Sequence, residues 1–324
     1  MMRNTKIREL ILGKALDPMK SETRHSMALV AFLAWVGLGA DGLSSSAYGP
    51  EETFRALGDH THLGLYMAIA TAVTVFIIAL AYNQVIELFP TGGGGYRVAT
   101  KLVGPYMGLV SGCALVLDYV LTIAISIASG VDALASFLPP GFQPYKLWAE
   151  AFFIGLLMIM NLRGLKEAIQ ILLPIFLGFV VTHLILIVYG IVAHASYLPE
   201  LVPATMAETT ELASSIGWMG VAGMLLFAYS QGGGTYTGLE AVSNNVNILA
   251  EPRVRTGKVT MLCMALSLAF TASGIILLYL LWAAKHVPGQ TLYASTFKAI
   301  IDSMGLGGPV LNQMLLVVVL AFEA

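Results

Sequence analysis

The feature that most constrains this chain is a row of long apolar stretches, each near the ~20 residues a helix needs to cross hydrocarbon. Eight can be read, at roughly 27 to 57, 63 to 89, 106 to 138, 147 to 162, 168 to 194, 213 to 249, 257 to 284 and 309 to 324. A backbone in lipid must satisfy its own polar groups, so only helices or closed barrels can span. The short alternating segments of a barrel are absent from the sequence. The expected fold class is an all-α polytopic membrane protein. Only 11% of the residues are charged and the formal net charge is −2, which leaves no basic surface for nucleic acid. Cys113 and Cys263 lie in apolar runs and offer neither a disulfide framework nor a metal site by spacing.

The basic residues orient these spans. With the amino terminus in the cytoplasm, only Arg55, Lys146, Lys285 and Lys298 of the 17 Lys and Arg fall outside, the asymmetry expected of inner-face loops. The expected location is the cytoplasmic (inner) membrane, in which the chain is multi-pass. Within the cytoplasmic segment 1–26, IRELILGKAL reads as an interfacial amphipathic helix. The chain stops inside the apolar run NQMLLVVVLAFEA, so further spans are expected beyond it.

Two spans carry residues that hydrocarbon cannot solvate. GADGLSSSAYGPEE, residues 39–52, puts Asp41 after only about 14 apolar residues, too few to cross at about 1.5 Å each. A charge at that depth costs roughly 2.5–3.5 kcal/mol and ordinarily faces a cavity or a partner. Gly39, Gly42 and Gly49 permit unwinding, Pro50 suits the first turn of a new half-helix, and Ser44 to Ser46 can bond freed backbone groups. The sixth span repeats the pattern in FAYSQGGGTYTGLEAVSNNVN, where Gly232, Gly233 and Gly234 precede Glu240. Both helices are therefore expected to be discontinuous. Breaks at matching positions of two halves mark inverted-repeat transporters of the LeuT-like kind. On that reading 27–194 is the first five-helix repeat, 195–212 an extracellular loop, and 213–324 an incomplete second repeat of three helices.

In the third span, Asp118, Thr122, Ser126 and Ser129 fall at i, i+4, i+8 and i+11 and so share one helix face. Interhelical hydrogen bonding accounts for Ser129, whereas an ionisable group in mid-span is a functional hypothesis by default. If the three elements meet, Asp41, Asp118 and Glu240 are ringed by the hydroxyls of Ser45, Tyr48, Thr122, Ser126 and Thr237. Such hard oxygens suit a weakly polarising cation. Three carboxylates cannot all stay charged side by side, so one should carry a proton. Asp41 and Glu240 are the carriers to test first.

The stretches DGLSSSAYG, FPTGGGGYRVA, LDYVLTIAISIASG, NLRGLKEA and TGLEAVSN, in that order, resemble the KimA-like (KUP-type) potassium uptake permeases of the amino acid, polyamine and organocation (APC) superfamily. The resemblance implies ten core spans and two more, potassium import with protons, and potassium ligands at Asp41, Tyr48, Asp118, Thr122, Ser126, Thr237 and Glu240. It implies no cofactor beyond the transported ion and proton, and partners limited to those and the lipid bilayer, with a homodimer left open. An amino acid or polyamine permease is the nearest alternative, since fold does not fix substrate, and a transporter-like receptor is a more distant one. An enzyme is not expected, because His183 and His194 have no nucleophile to pair with. The glycine run at 92–95 lacks the Lys-Ser/Thr pair of a nucleotide loop and reads as a turn. Asn244 is expected merely to finish the sixth span.

Overall fold

The computed structural model describes residues 28–163 and 165–323, so the interfacial helix expected within 1–26 lies outside the described residues. Nine helices of 12 residues or more among the described residues organise the chain: α1 (Ala31–Ala56), α2 (Gly64–Leu88), α3 (Pro105–Ala135), α4 (Lys146–Arg163), α5 (Leu165–Ala193), α6 (Leu198–Gln231), α7 (Arg253–Leu281), α8 (Leu292–Ser303) and α9 (Pro309–Glu323). The only strand-like pairing among those residues is a parallel bridge between Leu29 and Leu249.

Among the described residues, six helical stretches are long and apolar enough to cross a membrane. α1 is not among them, because its acids, serines and glycines dilute its apolar residues, and α9 has 15 residues. α7 stands at the centre, packed mainly on α1 and α2. Of its most apolar stretch 61% is buried inside the protein, against 0% for the stretch containing α4. α3 and α4 therefore form the rim, and Leu117, Val120, Leu121, Trp148 and Phe152 stand on bare apolar faces suited to hydrocarbon.

The interior divides into two apolar clusters. One gathers Phe54, Leu57, Ile187, Tyr279, Tyr293 and Phe297. The other surrounds the end of the sixth span with Leu43, Val75, Leu239, Val242, Met264 and Leu268. α8, which was not foreseen, buries Leu292, Tyr293, Phe297, Ile300 and Ile301, a helical spacing that places them on one face. Its first turn is capped by Thr291, whose side chain accepts the Ala294 N–H at 3.1 Å.

Two expectations need correction. Residues 198–212, expected within a loop at 195–212, form the first arm of α6, which bends at Gly217 (φ 74°, ψ 160°). From Leu198 to Ile216 the arm contains no glycine, and its three Ala, three Glu and three Leu are good helix formers. It is tied down by Glu208, whose oxygens meet His60 Nδ1 at 3.1 Å and His62 Nδ1 at 2.7 Å.

The second correction concerns α1, which is one continuous helix with Pro50 inside it rather than a broken rod. Its hydroxyls do not require it to open. Ser44, Ser45 and Ser46 donate to the carbonyls of Asp41, Gly42 and Leu43 at 2.8, 2.6 and 2.6 Å, so polar side chains are satisfied within the helix's own turns.

Candidate cation site

The sixth span does break. α6 tightens into a 3₁₀ turn at Gly232–Tyr236, Thr237 is extended, and Gly238 takes φ 87° before the short helix Ala241–Asn244. That left-handed backbone is what glycine supplies without steric cost. Gly232, Gly233 and Gly234, expected as the break, lie in the 3₁₀ turn just before it. A Cβ on Gly232 would sit 1.7 Å from Thr53 Oγ1, and one on Gly234 would sit 3.0 Å from the Tyr48 ring. The glycines of α1 do the same work from the other side. A Cβ on Gly49 would sit 2.0 Å from Thr235 Oγ1, and one on Gly42 would sit 3.6 Å from the Thr237 carbonyl oxygen. Gly39 faces Trp35 and Met264 instead. These residues let α1 and the opened segment touch backbone to backbone.

The contact brings the predicted residues together. Asp41 Oδ2 lies against Gly238, 3.0 Å from where its Cβ would be. Ser45 is fully buried, and its hydroxyl reaches the Thr235 carbonyl at 2.9 Å, joining α1 to the opened segment. Tyr48 sits beside Thr237 and Ser126. From α3, Ser126 comes within 3.5 Å of the Ser44 hydroxyl, and Thr122 is buried one turn from Asp118. The Thr237 hydroxyl donates to the Gly234 carbonyl at 2.9 Å, which leaves its lone pairs free to accept. Glu240 precedes the short helix Ala241–Asn244, and its Oε1 is buried with no hydrogen-bond partner. Asp41, Asp118 and Glu240 lie within reach of one another's charge. They do not close into a tight cluster. Among the described residues no three His, Cys, Asp or Glu side chains are near enough to grip one metal ion.

Two cavities flank this meeting point. One, of about 270 Å³, is lined by Tyr82, Gly95, Tyr96, Ser111, Asp118, Glu240 and Asn244, with no basic residue. The other, of about 520 Å³, has Tyr48, Glu51 and Ser129 in its wall, together with the ion pair of Asp132 and Lys146. In the smaller cavity, an acidic, oxygen-rich wall without a cation favours a positively charged occupant.

Sequence reasoning missed Tyr82, Tyr119, Ser111, Asn244 and Gly238. Asn244 does more than end a span. Its side-chain amide donates to the Tyr119 hydroxyl at 2.9 Å, and its carbonyl accepts the Gly93 N–H at 2.9 Å. The glycine run at 92–95 is thus a turn docked on the far end of the broken span, with Gly92, Gly93 and Gly94 at φ 82°, 99° and 42°. Gly238 had a signal in TYTGLE, a lone glycine between polar turn residues and the acid.

Comparison with known proteins agrees with this architecture. The family model described as "Amino acid permease" matches residues 43–322. The chain is 35% identical over 295 residues to the potassium transporter KimA of Bacillus subtilis (strain 168), covering 88% of this chain and 46% of that protein. It is 25% identical over 179 residues to the low-affinity putrescine importer PlaP of Escherichia coli (strain K12), covering 53% of this chain and 36% of that protein. The chain thus spans less than half the length of either relative. An apolar helical body that opens around acids in mid-span, matched along most of its length by one family model, makes this chain a member of the amino acid permease family of the APC superfamily.

Proposed function

We propose that this chain carries the cation-binding part of a secondary active transporter, multi-pass in the cytoplasmic membrane with its amino terminus inside, that takes up potassium together with protons by alternating access. The observation that supports this most is a cavity with no basic residue lined by Asp118 and Glu240, with Asp41 within reach of their charge and Glu240 Oε1 buried without a partner. Tyr48 faces the other cavity. A transported ion needs oxygens that replace its hydration shell without holding it fast. The hydroxyls of Tyr48, Thr122, Ser126 and Thr237 beside the carboxylates supply such a set. Asp41 and Glu240 are the proton carriers on this reading. The order of the repeats, 27–194 then 213–324, belongs to the same proposal. The similarity to KimA, named as a potassium transporter, points to the same ion.

The similarity to a putrescine importer favours a second reading, an organic cation held by the same acids. Uptake of labelled rubidium and labelled putrescine into proteoliposomes, with and without an inward proton gradient, separates the two. Rubidium uptake is expected to rise with the gradient and to fall at least about tenfold in Asp41→Asn, a loss within the usual range of coupling between sites. Undiminished rubidium uptake in Asp41→Asn, or uptake of putrescine alone, overturns the potassium reading.

A further inference from the structure

Away from the cation site, one carboxylate ties together two elements that both lead into it. Glu208, on the first arm of α6, meets His60 Nδ1 with Oε1 at 3.1 Å and His62 Nδ1 with Oε2 at 2.7 Å. Oε2 also accepts the His62 backbone N–H at 3.3 Å. Thr205, buried one turn earlier, donates to the His62 carbonyl at 3.0 Å, and Thr209 donates to the Tyr66 hydroxyl of α2 at 3.2 Å. Residues 205, 208 and 209 share a helix face, so the arm is seated along one side on the turn between α1 and α2. α1 carries Asp41 and Tyr48, and α6 runs on to Thr237 and Glu240. Between the seat and the span lies Gly217, whose φ 74° and ψ 160° are open essentially to glycine alone, with nothing within 4 Å of where its Cβ would be. The arm therefore joins the span through a swivel.

Among the described residues, every hydrogen bond and ion pair of the Glu208 carboxylate goes to His60 or His62. The two rings are 38% and 43% exposed, against 18% for Glu208, so water reaches both bases while the acid between them is mostly covered. An ionised carboxylate only accepts, so each ring is assigned its proton on Nδ1, and a second proton would add at Nε2. The other charged or titratable groups of the surrounding elements are Asp59 in the turn, Arg55 of α1, Tyr66 of α2 and Glu211 one turn along α6. Arg55 pairs with Glu52 at 3.3 Å, and Tyr66 takes the Thr209 bond. Imidazole is the side chain that ionises between about pH 5 and 8. A charge on one ring gains an ion pair with Glu208, whereas a charge on both would set two cations beside one anion. A seat of this composition takes one proton, and holds it better closed than parted.

We propose that His60, His62 and Glu208 form an acid-closed latch on the outer face, which holds the arm of α6 against the end of α1 and slows reopening of the cation site to the outside. Closing takes one proton from outside water onto Nε2 of one ring, parting returns it, and no other bond changes. By linkage, acid outside favours the closed latch, and rising pH through the imidazole range loosens it. The latch thus restrains proton-driven uptake where outside protons are most abundant. The proposal rests on the alternating-access reading and the inside amino terminus proposed above, and adds a regulatory site to them.

Rubidium uptake into proteoliposomes, at a fixed proton gradient and with the outside stepped from about pH 7.5 to about 5.5, tests the latch across the imidazole range. Ion pairs this exposed shift a population only a few-fold, so the parent is expected to slow about two- to threefold more than Glu208→Gln over that step. The double variant His60→Gln, His62→Gln should match Glu208→Gln, and it decides the matter if the latter fails to fold. The latch itself is read without transport, by pulsed electron spin resonance between labels at Asp59→Cys and Thr210→Cys in the protein in lipid, with Cys113 and Cys263 replaced by alanine. The distance distribution should narrow in acid and stay broad when Glu208→Gln is added. Equal pH profiles in parent and both variants, or a label distance indifferent to pH, overturns the proposal. If uptake ignores the proton gradient altogether, the proton-coupled reading falls instead, while the label distance still decides this one.

Discussion

α1 and α6 are composed of nearly the same residue types, yet one remains a helix and the other opens. Both combine glycines, hydroxyls and an acid in mid-span. In α1 every serine of Ser44 to Ser46 donates to a carbonyl of its own helix, and none of its glycines has positive φ. The sixth span instead passes through extended Thr237 into Gly238 at φ 87°, and its helix cannot continue through that backbone. Glycine in a buried rod reports close approach first, and unwinding only where the backbone reverses. α1 is the flat wall against which the opened segment is laid.

The sharpest way to break this comparison is Gly238→Ala. A methyl there would lie 2.6 Å from the Gly42 nitrogen, in a conformation that alone strains an ordinary residue by about 1–3 kcal/mol. It is expected to cost the most of any single change here, read as a lowered midpoint of thermal unfolding in detergent. An unchanged midpoint would detach the opening from that residue. Gly49→Leu comes next, since its side chain would collide with Thr235 backbone atoms 3.0 and 3.1 Å from the Cβ position. Overpacking of this kind costs typically 1–3 kcal/mol, roughly, and should lower rubidium binding along with stability. Ser46→Ala should cost about 1 kcal/mol or less, and amide exchange along α1 should remain slow. Rapid exchange there would mean that the hydroxyls hold α1 closed. Gly39→Ala is expected to be the mildest, because its new methyl meets side-chain atoms of Trp35 and Met264 at 3.1 and 3.2 Å and no backbone atom. A shift as large as that of Gly49→Leu would contradict the assignment of backbone contact to Gly49 and not to Gly39.

The same comparison marks what was legible in the sequence. Helices stand at all eight expected places because hydrocarbon imposes both length and internal hydrogen bonding. The acids were legible because charge in an apolar run is costly, and the four-residue spacing from Asp118 to Thr122 and Ser126 sets them on one face. The state of α1 was not, since glycine and serine are equally compatible with unwinding and with tight packing. α8 escaped notice because its 12 residues are too short and too mixed for a span, and only tertiary packing makes it a core element. Tyr82, Tyr119 and Asn244 were hidden for another reason. Tyr82 and Asn244 have an ordinary explanation towards span ends and Tyr119 as an apolar ring in mid-span, and Tyr119 meets Asn244 only once Ala241–Asn244 folds back onto the glycine turn.

The bridge at Leu29 and Leu249 bears on how such a body can rock. Leu29 donates to the Ile248 carbonyl at 2.9 Å and accepts from the Ala250 N–H at 2.8 Å, riveting the chain ahead of Asp41 to the chain that follows Glu240. A swing that parted those two acids would first have to shear the rivet. On the transport reading proposed above, a shift between that fastened pair and α3 would leave the rivet whole and would carry Asp118 relative to the other two acids.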